Sequence, residues 1–378
     1  MKIKRIKALT KKEFKHLFRD YRLLGILLFF PMFLLGAFGY AVNFDVENVR
    51  LAIVDKDGTP TSRDFARTAT ASRTFEAVAY PKTEAAARAI LDRGEAHAVV
   101  VIPNDFAERL GAGEEAPTQF LIDGVDANTA KIVKNYLLAV AARFNAERTE
   151  RTLAKYGKSY ATPLDFRPRF WYNPELETTK YLVPGLIAMI LIITACVSVS
   201  LTLVRERERG TMEQINVSPI QTVELMLGKT IPYTVVALGA SAFTLLVAYL
   251  LFDVGVAGSY LWLFVSTLLF LASSTALGVL VSTVSDSQQV AFTLGTFVSL
   301  LPSLILSGFV FQIESMPVVI QWATNLTPAK FYLESLRAIM LRGVGIEAFR
   351  EQLIYLTAFT VALLAAASGI RAAKEKRA

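Results

Sequence analysis

Cysteine is almost missing from this chain. Its 378 residues include one, Cys196, and only two histidines. One cysteine cannot close a disulfide within the chain, and with two histidines it cannot complete a four-ligand zinc site. Charge is scarce too: 19% of residues are charged and 53% are hydrophobic, where soluble domains carry about a quarter charged. Phosphate-binding signatures are also lacking. A nucleotide loop needs Gly-x-x-x-x-Gly-Lys-Ser/Thr, because glycine backbone N–H groups wrap the phosphates. The "GKT" at Gly228, Lys229 and Thr230 has Val223 where the first glycine belongs, and no strand leads into it. No strand-like run is followed by Gly-x-Gly-x-x-Gly. The expectation is a chain that is not an enzyme and binds no cofactor or metal of its own.

What the sequence has instead is long uncharged runs. Crossing a bilayer takes roughly 20 apolar residues. Six runs qualify: 23–44, 181–204, 231–252, a core within 254–285, 287–313 and 352–370. They predict a membrane α-helical protein with six transmembrane helices. Lysine and arginine set its orientation. Residues 1–22 and the tail "RAAKEKRA" are strongly basic, so both termini are expected in the cytoplasm. The net charge of +7 then reads as a topology signal, and nucleic acid is not an expected partner.

The runs divide the chain. Residues 1–22 repeat Ile3, Ile6, Leu9, Phe14, Leu17 and Phe18 at helical spacing with lysines between them. This predicts an amphipathic helix on the cytoplasmic membrane surface, in contact with lipid; the plainer alternative is a basic tail that only fixes topology. Helix 1 is expected over 23–44. Residues 45–179 form an inserted extracytoplasmic α/β domain, with strands at 50–55, 75–80, 97–103, 118–124 and 166–173, and helices at 61–71, 83–93 and 127–156. A short helix capped by Asn104 is also expected. His97 opens a strand with no metal-ligand neighbour and reads as structural. Residues 180–371 hold helices 2–6, and 372–378 form a basic cytoplasmic tail. Within 307–343, Pro317 and Pro328 break stretches too short to span, which predicts an outer re-entrant hairpin rather than a pair of short spans.

The loop at 205–229 opens with "RERERGTMEQINVSPI". Arg205/Glu208 and Glu206/Arg209 have the i,i+3 spacing of helical ion pairs. Gly210-Thr211 interrupts the helix, and Thr211 with Gln214 fits a capping box. A short rigid helix facing the cytosol is one reading; an ordinary solvated loop is the other.

The stretch "ERERGTMEQINVSPIQTVELMLGKTIPY" resembles the cytoplasmic loop of ABC-2 type permeases, the membrane subunits of ABC exporters. The match lies at Glu206, Glu208, Gly210, Thr211, Glu213, Pro219, Glu224, Gly228, Lys229 and Pro232. "LSGFVFQIESMP" (306–317) and "LRAIMLRG" (336–343) resemble the family's outer hairpin, and the inserted domain resembles its drug-exporter branch. Ile215, Asn216 and Val217 depart from the family's more apolar or small residues. The resemblance implies a permease moving a hydrophobic or amphipathic compound out of the cytoplasm or the bacterial inner membrane. ATP and Mg would be bound by a separate ABC ATPase. That partner would touch Glu206, Glu208, Gly210, Thr211, Glu213, Gln214 and Pro219 in the loop, and Phe14, Leu17 and Phe18 in the N-terminal helix. A second copy or sister permease, and a periplasmic adaptor, are further partners it implies. Phe29, Phe33, Phe292 and Phe297 would line the substrate path. The uncharged runs hold no ionisable group of the kind ion-coupled carriers use, which argues against a secondary carrier. A membrane sensor or scaffold, whose exported domain binds a ligand and whose loop recruits a partner, is the competing reading.

Overall fold

The structure is a computed structural model. It describes residues 3–41, 48–71, 74–155, 171–174, 177–210 and 222–375. The chain divides into two compact units, Met1–Asn43 with Arg169–Ala378, and Phe44–Pro168.

The smaller unit alternates strands and helices: β1 (Val49–Asp55), α3 (Pro60–Thr70), β2 (Phe75–Ala79), α4 (Glu84–Asp92), β3 (Ala98–Ile102), α5 (Phe106–Ala112), β4 (Gln119–Ile122) and α6 (Ala127–Lys155). The sheet order is β2-β1-β3-β4. β1 pairs in parallel with β2 and β3, and β4 closes the edge antiparallel to β3. The parallel pairs follow from the helical crossovers between them. β1 and β3 are buried on both faces, so they read as continuous apolar runs. Leu51, Ile53, Val100 and Ile102 pack on Phe65, Phe106, Val133 and Phe144. Ala52, Val54, Val99 and Val101 face Ala87. Thr59 and Thr83 cap α3 and α4 by accepting from the N–H groups of Ser62 and Ala86, each at 3.2 Å. The cap of α5 is Asp105, with no side-chain capping bond, one residue beyond the expected Asn104. The strand expected at 166–173 falls largely outside the described residues.

The larger unit is helical. α1 (Ile3–Arg19) and α2 (Tyr21–Ala41) precede the smaller unit. α7 (Thr178–Glu208), α8 (Thr222–Phe252), α9 (Tyr260–Val284) and α10 (Gln288–Ile305) follow it, then short α11 (Val318–Ala323) and α12 (Pro328–Arg337), and finally α13 (Arg350–Glu375). Among the described residues, six helices (α2, α7, α8, α9, α10 and α13) are long and apolar enough to cross a membrane. α7 is the centre of the bundle and packs against α9, α10, α8 and α2. Its apolar window is 72% buried and that of α13 only 11%, so α7 meets protein where α13 leaves a bare apolar face.

α11 and α12, six and ten residues long, are each too short to cross a bilayer. α12 buries Tyr332, Leu333 and Leu336, whereas α11 exposes Val318, Val319 and Trp322. Arg337, at the end of α12, donates to the carbonyl of Gly308 at 3.1 Å and of Tyr181 at 3.4 Å. Its guanidinium stacks 4.2 Å from the Tyr181 ring centre. One cation thus ties the end of α12 and the turn after α10 to the start of α7.

Candidate functional site

The site is built where α1 meets α7 and α8. The residues α1 buries are Leu9, Glu13 and Leu17, one every four positions, which stacks them on one helix face. Leu9 and Leu17 supply apolar contact. Glu13 places a carboxylate in the middle of that contact, only 4% exposed.

Its counter-charge is Lys229 of α8, 1% exposed. The Lys229 Nζ lies 3.6 Å from Glu13 Oε1 and also pairs with Glu206 near the end of α7. Lys12, half exposed, reaches the same two carboxylates at 3.8 and 3.9 Å. Two negative and two positive groups therefore balance across three helices. Burying an ion costs several kcal/mol, offset only when the partners are close and well placed. The arrangement accordingly fixes α1, α7 and α8 in one register. A second pair, Arg5 with the buried Glu224 at 3.6 Å, holds the first turns of α1 to α8.

Glycine allows the close approach. A Cβ on Gly228 would lie 2.6 Å from Leu9 Cδ2, and the Gly228 carbonyl accepts from Thr10 Oγ1 at 3.3 Å. The "GKT" sequence is thus a seat for α1: Gly228 admits Leu9, Lys229 holds Glu13, and Thr230 turns back to its own helix at the Met226 carbonyl, 2.7 Å away. A cavity of about 300 Å³ opens beside the charges, with His16, Asp20, Thr202, Arg205, Arg209 and Tyr233 on its walls.

The alternating charges at the end of α7 reach other helices rather than simply pairing along their own. Arg205 Nε donates to Gln288 Oε1 at 3.1 Å, and Arg207 Nη1 to the Ser285 carbonyl at 2.9 Å. Glu208 accepts from the Gln288 backbone N–H at 2.8 Å and from its side chain. The exit of α7 is thereby bound on one side to α1 and α8, and on the other to the turn between α9 and α10. Gly210 follows with φ 69, a left-handed conformation that suits glycine. Thr211, Glu213, Gln214 and Pro219 lie outside the described residues.

Residues 22–368 match the family described as ABC-2 family transporter protein. The chain belongs to the ABC-2 transporter family. Two similar relatives come from Escherichia coli K12. The probable multidrug ABC transporter permease YbhS is 34% identical, over 90% of this chain and 89% of its own. The probable multidrug ABC transporter permease YbhR is 30% identical, over 91% of both. The inner membrane transport permease YhhJ of the same organism is 29% identical over 72% of this chain and 74% of its own. The family match begins at Arg22, so in this ABC-2 protein Glu206 and Lys229 lie inside the matched region and Glu13 lies before it.

The other expected site residues fall into three groups. Leu17 is 2% exposed and packed with Val199, Leu203, Met226 and Tyr233. It faces its own bundle, where a role in holding an ATPase had placed it outward. The reason is the four-residue stripe it shares with Leu9 and Glu13. Phe14 and Phe18 stack with ring centres 6.1 Å apart, and Phe18 is exposed. Phe29, Phe33, Phe292 and Phe297 all stand on the outside of the bundle. Sequence reasoning missed Glu13 and Lys229. The signal was available: an acidic residue midway between two leucines of the apolar stripe, and a Gly-Lys pair left over once nucleotide binding is rejected.

Proposed function

We propose that this chain is the permease subunit of an ABC exporter that moves a hydrophobic or amphipathic compound out of the cytoplasm or the inner membrane, driven by a separate ATPase. The observation that carries the reading is the buried lysine. Through Lys229, α1 and the exit of α7 are joined to α8, so a push on either displaces membrane-crossing helices together. Packed elements of this kind move as units. The ATPase would bear on the exposed side of α1, with Phe14 and Phe18, and on the segment beginning at Glu206, Glu208 and Gly210. In this orientation both termini are cytoplasmic and the α/β unit is exported. Phe29, Phe33, Phe292 and Phe297 line a path only when a second permease closes over α2 and α10, whose apolar faces this chain leaves bare.

The test is purification of the tagged full chain from its own membranes in mild detergent. An ATPase is expected to co-purify, and Phe14→Ala with Phe18→Ala should release it while α1 remains protected from protease. A chain that purifies with no ATP hydrolysis, or a double variant that retains all of it, would sink the reading.

A further inference from the structure

The other end of α8 carries a charge with no evident structural use. The helix stops at Phe252, and Asp253 follows with φ 51. Left-handed backbone is the place of glycine or asparagine, and aspartate adopts it less readily. Its N–H donates to the Tyr249 carbonyl at 3.1 Å, which closes the helix through backbone alone. Among the described residues its carboxylate has no hydrogen-bond donor and no cation. Lys180, next to the cavity-lining Thr179, is held by Glu177 at 3.2 Å. A helix C-terminus carries partial negative charge and favours cations. The dipole therefore disfavours an acid here, and the helix end and the carboxylate together concentrate negative potential at one spot.

That spot opens on a cavity of about 540 Å³ between the ends of α2 and α8 and the start of α7, lined by Tyr40, Tyr249, Leu250, Phe252 and Asp253 among others. The volume is that of a small-molecule site. Tyr40 and Tyr249 are 66% and 56% exposed, so both rings offer faces to a ligand. Glycine brings α2 and α8 together here: a Cβ on Gly39 would lie 2.3 Å from the Phe252 ring. Its absence lets Phe252 pack against α2, with the Tyr40 ring centre 5.1 Å away. A carboxylate beside aromatic faces is the chemistry that recognises an onium cation, and the leucine and phenylalanine walls accept an apolar body.

We propose that this cavity binds a free lipophilic cation, an ammonium or phosphonium centre on an apolar body, with Asp253 as counter-charge and Tyr40 and Tyr249 as the ring faces. The site lies at the membrane end opposite Lys229, which is the outer end in the proposed orientation. Its use in transport rests on the permease reading; the binding itself does not.

The test uses the purified full chain in nanodiscs of an uncharged glycolipid, without ATPase, and tetraphenylphosphonium as the probe in equilibrium dialysis against empty nanodiscs. Saturable binding is expected, with no competition from tetraphenylborate, its anion of the same shape. Asp253→Asn should weaken binding at least about tenfold, and Asp253→Glu only a few-fold. Asparagine suits left-handed backbone, so the unfolding temperature should not fall, which separates lost binding from lost fold. Equal binding by Asp253→Asn, or equal competition by tetraphenylborate, would overturn the proposal. So would loss of the probe when phosphatidylcholine replaces the glycolipid, since the site would then belong to a lipid ammonium headgroup. Failure here leaves the coupling at α1 standing, and failure of ATPase co-purification leaves this binding measurable.

Discussion

The two ends of α8 treat charge in opposite ways. At the start, Lys229 is buried and its charge is met by Glu13 and Glu206. At the finish, Asp253 is exposed, and among the described residues its carboxylate is unmet. A buried charge has few acceptable positions, so it fixes the elements that supply its partners. An exposed one constrains nothing around it and is open to a ligand. One helix therefore carries a fixed joint near one end and a free charge at the other, Lys229 and Asp253, about 36 Å apart at 1.5 Å per residue.

The largest effect should come from breaking the joint. Lys229→Met removes the buried cation that Glu13 and Glu206 share and leaves half-exposed Lys12 beside them. Removing one partner of a buried pair costs about 3–5 kcal/mol. Thermal unfolding in detergent should fall markedly, and limited proteolysis should cut α1 first. Replacing the whole cluster, Glu13→Leu with Lys229→Met and Glu206→Met, should recover most of that loss, because apolar groups of similar size tolerate burial. If Lys229→Met unfolds at the wild-type temperature, the joint carries no load and the contrast between the ends disappears.

The second effect tests the approach rather than the charge. At Gly228, alanine would gain roughly 1 kcal/mol of helix propensity and lose a similar amount by crowding Leu9, so it decides nothing. Valine retains only a few tenths of that gain and crowds more. Gly228→Val should therefore cost about 1–3 kcal/mol, the usual range for overpacking. Adding Leu9→Ala should relieve part of it. No relief in the double variant would mean that the contact at 2.6 Å does not set the distance between α1 and α8.

These two cases also show what the sequence could and could not disclose. The strands at 50–55 and 75–80 and the helices at 61–71 and 83–93 were legible, because each is a periodic run bounded by a turn or a capping threonine. The sheet order was not, since pairing depends on residues far apart in sequence. The amphipathic character of α1 was legible, but not which side it buries: Phe14 and Phe18 are larger than Leu9 and Leu17, yet the smaller stripe goes inward because Gly228 admits only a close neighbour. The uncharged runs hold no ionisable group because each run is bounded where charge begins. Helices do not stop there: α8 starts before Glu224 and Lys229, and burial follows the helix. The exit charges of α7 have i,i+3 spacing, but their partners at Gln288 and Ser285 come from a distant turn.

The smaller unit supplies a third treatment of charge, a group kept neutral. His97 Nδ1 accepts from the Arg50 backbone N–H at 3.0 Å, and the Arg50 guanidinium lies 3.4 Å from Nε2. Burial, then the Arg50 cation, hold the imidazole below its ordinary pKa, with Asp123 opposing. The unfolded chain thus takes up this proton first as pH falls. The contribution is complete above the unfolded value of about 6.5 and is lost as pH drops through the lower folded value. Hydrogen-exchange protection of the β1 and β3 amides in the full chain should decline from pH 7.5 to 5, and His97→Asn should flatten that decline. A wild-type profile already flat would mean that the imidazole titrates alike in the folded and unfolded states.

The smallest effect belongs to the free end and has the opposite sign. Asp253→Asn removes a carboxylate from a helix C-terminus, where negative charge is unfavourable by about 0.3–1 kcal/mol, and suits the left-handed backbone at φ 51 better. With no partner among the described residues to lose, the variant should unfold about 1–2 °C higher than wild type, given about 2–4 °C per kcal/mol for a unit of this size. Lys229 and Asp253 would then differ in sign as well as in magnitude: one charge the fold cannot lose, and one it carries at a small cost. Destabilisation by Asp253→Asn would mean that the carboxylate has a structural partner, and Asp253 would join Lys229 as a joint.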